Sequence, residues 1–181
     1  MLESRQFVIR RDTQSLRHRP RFDIFAPERS CEPVGTIIAR PTRFTGFLPR
    51  FFPPSWRPWV LDIREKPDDS LVFTLHGNRL WSSWVEVRDS LEALIGRFPT
   101  RSVATSEPLF LRNAKRCVVA TMEREPGENR YQIRASEMER ELACVEITSE
   151  LRLEFAEELD DQPLAKMLIL GAALWQFAIT S

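Results

Sequence analysis

Met167-Leu168-Ile169-Leu170-Gly171-Ala172-Ala173-Leu174-Trp175-Gln176-Phe177-Ala178-Ile179, near the end of the chain, is apolar on every side of a helix, with only Gln176 strongly polar. Asp160-Asp161-Gln162-Pro163 stands before it. Asp161 is the expected cap and Pro163 the expected first-turn residue, so the pattern predicts a helix over 163–179. A helix without a polar face belongs inside a protein or inside a bilayer. The thirteen apolar-rich residues make about 20 Å of helix, whereas a bilayer core needs about 30 Å and roughly twenty residues. A protein interior is the better home, and no transmembrane span is expected.

Working back along the chain, the rest alternates with the period of a β-strand. In Trp59-Val60-Leu61-Asp62-Ile63-Arg64 the apolar side chains 59, 61 and 63 share a face and Asp62 and Arg64 point away. Lys66-Pro67-Asp68-Asp69-Ser70 is turn chemistry, and Leu71-Val72-Phe73-Thr74-Leu75-His76 alternates again, which makes a hairpin. The same unit recurs from Phe22–Phe25 to Val34–Ile38, from Trp84–Arg88 to Leu94–Phe98, from Leu109–Leu111 to Val118–Met122, and from Tyr131–Arg134 to Leu142–Ile147, with Leu151–Phe155 following. Short strands at this spacing predict an all-β sandwich or barrel. The absence of a strand–helix–strand rhythm argues against a doubly wound nucleotide fold. Of these choices, the sheet able to surround a helix is a closed one. The expected fold is therefore a closed antiparallel β-barrel enclosing a hydrophobic C-terminal helix, and 181 residues suit one such domain over 1–181.

Thirteen Pro with twelve Phe and five Trp fit a turn-rich β domain. The formal net charge is zero, so charge gives no case for nucleic-acid binding. Its distribution is uneven: residues 1–57 hold eleven Arg against five acids, and residues 137–161 hold ten acids against two Arg. The simpler reading is that the two ends are neighbours whose surfaces complement each other. The sharper one is a basic face for anionic lipid or phosphate. Cys31, Cys117 and Cys144 are odd in number and widely spaced, so they suggest neither a metal site nor a disulfide framework. Cys117 and Cys144 sit in apolar runs and are expected as buried small hydrophobes. Free thiols and an N-terminus without an apolar stretch point to a cytoplasmic protein.

These features together resemble a known superfamily, the tubby C-terminal domains with the LURP-one-related and phospholipid scramblase-like proteins. Phe7-Val8-Ile9-Arg10-Arg11, then Phe22-Asp23-Ile24-Phe25 and Val34-Gly35-Thr36-Ile37, resembles the opening hairpins of the LURP-one and scramblase-like group. Val87-Arg88-Asp89 followed by Leu94-Ile95-Gly96 is similar to its repeated strand, aspartate and turn pattern. Leu159-Asp160-Asp161 through Met167–Ala172 resembles the acidic stretch and helix that end scramblases. The resemblance implies a barrel around the C-terminal helix. It does not fix an activity, because tubby proteins bind phosphoinositides and a shared fold does not carry function.

Several stretches are candidates for chemistry. Between Arg43 and Trp59, aromatics and arginines interleave among prolines that forbid a regular helix. Phe51, Phe52 and Trp56 would enter a headgroup region while Arg43, Arg50 and Arg57 meet anionic lipid; the plainer reading is a connection folded over one mouth of the barrel. Glu154, Glu157, Glu158, Asp160 and Asp161 offer carboxylates to a hard cation without an EF-hand spacing; the plainer reading is a solvated lead-in favouring the helix N-terminus. His18 and His76 have no signalled partners, and Asp62 and Asp89 sit at outward positions that make them surface carboxylates rather than an acid–base pair. Neither a phosphate-binding loop nor a nucleophile elbow occurs. The expectation is a non-catalytic cytoplasmic binding module, with no cofactor and no metal, whose partner is an anionic lipid, a small ligand or a protein. A scramblase-like membrane-associated protein and a protein-interaction domain without a lipid role remain the alternatives.

Overall fold

The computed structural model describes residues 1–12, 21–28, 32–40, 59–77, 83–100, 107–137 and 140–180, the side chains of 179 and 180 excepted. Twelve strands follow one another: β1 (Gln6–Arg11), β2 (Arg21–Phe25), β3 (Pro33–Arg40), β4 (Trp59–Glu65), β5 (Ser70–Gly77), β6 (Trp84–Asp89), β7 (Leu94–Pro99), β8 (Leu109–Asn113), β9 (Val118–Arg124), β10 (Arg130–Ala135), β11 (Glu141–Ile147) and β12 (Leu151–Phe155). Each pairs with its successor in sequence, and β1 pairs antiparallel with β12 to close the barrel. Each of the eleven alternating segments of sequence lies within one of these strands, and β1 holds Phe7–Arg11. A 3₁₀ turn, Glu157–Leu159, leads to helix α1, Pro163–Thr180. Closure matters physically because each described strand has a neighbour on both sides, which limits the free edge available to recruit another chain.

The inner face of the barrel is apolar and meets the helix. Ile9, Ile24, Ile63, Phe73, Leu75, Val85, Val87, Phe98, Leu111, Met122, Ile133, Val145 and Leu151 are all fully buried. Every residue of α1 from Leu168 to Phe177 is buried, with Leu168, Ala172 and Trp175 on one side of the helix and Leu170, Ala173 and Phe177 on the opposite one. The indole of Trp175 stacks on that of Trp59, with centroids 5.0 Å apart and planes 8° from parallel. Phe177 meets Phe22 edge-on at 5.8 Å. Small residues make the fit: a Cβ on Gly171 would lie 2.8 Å from Leu75 Cδ2 and 3.2 Å from Val87 Cγ2. Gly77 lies against the Trp59 ring so closely that a Cβ there would fall 2.1 Å from Cε2.

The helix start differs in detail from the expectation. The first helical bond runs from the Lys166 N–H to the Gln162 carbonyl at 3.1 Å, so Gln162, not Asp161, occupies the cap position and Pro163 follows as the first helical residue. Lys166 is fully buried. Its ammonium donates to the carbonyls of Leu2 (3.0 Å) and Ser4 (3.4 Å) and to Asp160 Oδ1 (3.4 Å), which binds the N-terminal segment to the helix. A buried charge is tolerable when it is paired and hydrogen-bonded in this way.

Part of the charge asymmetry resolves along the β1–β12 seam. The Arg5 guanidinium donates to Asp160 (2.9 Å) and Glu157 (3.0 Å), and Arg10 donates to Glu150 (2.7 Å). Arg5 holds the Asp160 carboxyl below its usual range. Gln6 reaches Glu154 at 3.2 Å, and Arg140 pairs with Glu158. Arg5 and Arg10 thus lie beside C-terminal acids, in line with the simpler reading of the charges, whereas Arg21 lies by Asp12 and Asp23 and Arg40 pairs with Asp62. The cysteines depart from expectation: Cys117 is exposed in the turn between β8 and β9, and Cys144 is half-buried on the outward face of β11. Apolar neighbours in sequence do not bury a residue that the strand alternation turns outward.

Replacing Gly171 by Leu is expected to overpack the interior and lower stability by about 1–3 kcal/mol. Urea unfolding checks this through a lower midpoint at an unchanged slope.

Candidate functional site

The outer face of β3–β8 carries a band of arginines, carboxylates and one histidine. Cross-strand register places Arg40 beside Val60, Val60 beside His76, His76 beside Glu86, Glu86 beside Arg97 and Arg97 beside Arg112. A second row runs from Ile38 through Asp62 and Thr74 to Arg88.

Three of these arginines arise from a local device that the sequence repeats every 24 residues: Ile63-Arg64-Glu65, Val87-Arg88-Asp89 and Leu111-Arg112-Asn113. In each, the apolar residue points inward, the register shifts at the next position, and the Arg turns outward. The Arg then folds back onto its own turn. Arg64 donates to the carbonyl of Asp69 (3.1 Å), Arg88 to that of Glu92 (3.2 Å) and Arg112 to that of Arg116 (3.1 Å). All three acceptors lie in the left-handed region, with φ of 53°, 65° and 70°. Such residues are strained in non-glycine turns, and a guanidinium clamp on the following carbonyl helps to hold them. Asp89 Oδ1 accepts from the N–H groups of Leu91 (2.9 Å) and Ala93 (2.8 Å), and Asn113 Oδ1 from that of Cys117 (3.1 Å). Asp89 is therefore a turn-forming residue.

Asp62 departs from its expected surface position, being 4% exposed. Two arginines cover it: Arg40 Nε donates at 3.1 Å, with Nη2 2.8 Å from the other carboxylate oxygen, and Arg64 Nη2 donates at 3.3 Å. The outward position is right, but the two long guanidinium side chains lie across the carboxylate and exclude water. Asp62 and Asp89 thus have separate partners and form no acid–base pair.

Among the described residues, His76 makes its ring contacts through one nitrogen. Nε2 shares a hydrogen bond with the Thr74 hydroxyl (3.0 Å) and lies 3.6 Å from Glu92 Oε2. A catalytic relay needs the acid on the opposite ring nitrogen from the nucleophile, and Thr74 is fully buried, out of a substrate's reach. Burial pushes the His76 pKa below its ordinary 6.5, ahead of the opposing pull of Glu92.

The other end of the wall is built differently. Arg97 and Arg112 face each other directly across β7 and β8, and both guanidiniums lie over the Trp84 ring, at 5.0 and 5.8 Å from its centroid. Gly96 permits the close approach, since a Cβ there would fall 2.4 Å from the Arg112 carbonyl oxygen. Glu86, opposite Arg97, gives its carboxylate to Arg88 at 2.6 Å. Among the described residues neither Arg97 nor Arg112 has a carboxylate partner, and the Nε of each is buried without an acceptor.

The remaining sequence candidates fall elsewhere. Arg43, Arg50, Phe51, Phe52, Trp56 and Arg57 lie outside the described residues, as do His18 and Cys31. Of the acidic group at 154–161, Glu154, Glu157, Glu158 and Asp160 are engaged by Gln6, Arg5, Arg140 and Lys166, and among the described residues no three His, Cys, Asp or Glu converge as a metal would require. A groove of about 690 Å³ crosses β10–β12 and β1, where Arg130 Nε donates to Cys144 Sγ at 2.9 Å. Its lining charges alternate in sign between Arg130, Arg152, Glu146 and Glu154. Sequence reasoning missed Trp84, Arg97, Arg112 and Lys166. The 24-residue spacing was the available signal for Arg112. Arg97 and Trp84 had none, because their meeting is a matter of register. No helix is long and apolar enough to cross a membrane among the described residues. No family model matches this chain, and neither do the curated proteins or the solved structures compared with it.

The His76 shift sets a direction with pH. The unfolded chain takes up the proton first as pH falls, so stability is full above the ordinary pKa of 6.5 and declines as pH drops through and below it. NMR titration is expected to place the His76 midpoint under 6.5, and His76→Gln is expected to lessen the loss of stability between pH 7 and 5, a window set by the ordinary histidine pKa of about 6.5.

Proposed function

We propose that the chain is a non-catalytic cytoplasmic module, peripheral at the membrane, that binds anionic lipid headgroups through the outer wall of β3–β8. The observation that carries this reading is the charge balance of the wall. Arg40, Arg64, Arg88, Arg97 and Arg112 face out from the strands, the outward carboxylates on those strands, Asp62 and Glu86, are held by Arg40, Arg64 and Arg88, and of the acids in the adjoining turns Asp69 pairs with Arg64 and Glu92 lies beside His76. Three acids of the C-terminal part, Glu150, Glu157 and Asp160, lie with Arg5 and Arg10 along the β1–β12 seam, away from the wall and its outward arginines.

The stretch holding Arg43, Arg50, Phe51, Phe52, Trp56 and Arg57 joins β3 to β4 in sequence and is the proposed companion contact, with aromatics for the headgroup region and arginines for its charge. The resemblance to tubby-like proteins, some of which bind phosphoinositides, runs in the same direction. A scramblase-like protein would need α1 to leave the barrel, and its burial on all sides stands against that. A protein-interaction role without lipid is the outcome that remains if membranes are not bound.

Co-sedimentation with liposomes tests the reading. Binding to anionic vesicles, weakening as salt rises and absent with neutral vesicles, is the expected result. Each wall or loop arginine changed to alanine is expected to cost about 1 kcal/mol, roughly fivefold in affinity. Equal binding to neutral and anionic vesicles, or none to either, would overturn it.

A further inference from the structure

We infer that Arg97, Arg112 and Trp84 form a discrete seat for a phosphate monoester; the inference deepens the proposed anion-binding role of the β3–β8 wall and rests on it.

Like charges directly opposite each other across two strands are destabilising, and Arg97 and Arg112 are such a pair. The ordinary remedy is an intervening carboxylate. Among the described residues there is none, because Glu86 is held by Arg88. The segments outside the described residues contain one acidic side chain, Glu139, between β10 and β11. Arg112 spends one nitrogen on the Arg116 carbonyl, and among the described residues the Arg97 guanidinium has no hydrogen-bond or ion-pair partner, its Nε being buried without an acceptor. Both are half-buried, and a buried donor without an acceptor is costly.

An oxyanion between the two guanidiniums removes both penalties. It supplies the missing negative charge and accepts from N–H groups that have no partner. The Trp84 ring holds each guanidinium through its face, an interaction that leaves the N–H edges in the guanidinium plane able to donate. The β7–β8 ladder is two residue pairs long and ends at Arg97 and Arg112, whereas the neighbouring β6–β7 ladder has five. The wall's seam therefore opens where the site lies. Two facing guanidiniums suit a group with three free oxygens and close to two charges, which is a phosphate monoester. A phosphodiester, with two free oxygens and a single charge, matches them less well.

The test follows the Arg97 and Arg112 Nε–Hε signals in ¹⁵N-labelled full-length protein, assigned with Arg97→Lys and Arg112→Lys. Inorganic phosphate is titrated against chloride at matched ionic strength. Both signals are expected to shift together and saturate with phosphate alone. Either single Lys variant, which keeps the charge and loses the fork, is expected to weaken binding about tenfold. Shifts no larger than those with chloride would overturn the seat. Vesicles containing phosphatidic acid, a monoester, are compared with vesicles containing phosphatidylglycerol, a diester. Preferential binding to the former, lost in the double Lys variant, supports the seat with a lipid source. Saturable phosphate binding without any vesicle binding supports it with a soluble phosphate source and removes the membrane reading. Vesicle binding unchanged in the double variant, with no phosphate-specific shift, removes the seat and leaves the membrane reading standing.

Discussion

Everything else in the fold depends on hiding a helix that has no polar face. Buried Leu, Ile and Phe side chains each contribute about 1.5–3 kcal/mol, and α1 buries ten consecutive residues from Leu168 to Phe177. No flat surface can cover a helix all round. A closed sheet can, and closure fixes the inward positions as apolar on strand after strand. It also explains where glycine is needed. Gly171 faces Leu75 and Val87, Gly77 lies under Trp59, and Gly96 admits the Arg112 carbonyl. Lys166, buried where the helix begins, hydrogen-bonds Leu2 and Ser4 and so joins the start of the chain to its last element.

With the interior committed to packing, chemistry is left to the outside. There the barrel is electrically uneven. Along β1 and β12 opposite charges meet and cancel, in exposed pairs that are individually worth little. Along β3–β8 arginines predominate, for two different reasons. Arg64, Arg88 and Arg112 are built into their hairpins as clamps on left-handed residues. Arg40 shields Asp62. Arg97 has neither duty, and Arg112 has a nitrogen to spare. A binding face can thus grow from a structural repeat, once one extra cation is set beside an arginine that was already there.

The fold was largely legible in the sequence because it rests on two periodicities. Alternation at Trp59–Arg64 or Leu71–His76 is a local signal, and so is the apolar run of 167–179, interrupted by Gln176 alone. What was not legible is what strands do to one another. Asp62 reads as a surface acid because its own strand turns it outward; its burial comes from Arg40, twenty-two residues away, and from Arg64. Cys144 reads as buried from its apolar neighbours, yet β11 points it out. The helix cap fell one residue from expectation because hydrogen bonding from Lys166 to Gln162, rather than the acidity of Asp161, decides where the helix begins. Trp84 and Arg97 are thirteen residues apart and meet only because the β6–β7 register brings their strands side by side.

Native-state hydrogen exchange tests the central claim most directly. If the barrel is closed around α1, the amides from Leu168 to Phe177 can exchange only when the barrel itself opens. They should then share the protection and the denaturant dependence of the slowest strand amides, such as those of Phe73, Leu75 and Val87. Helix amides exchanging through a smaller opening while those strands stay protected would contradict it, because the helix would then be a detachable element and not the core on which the sheet is built.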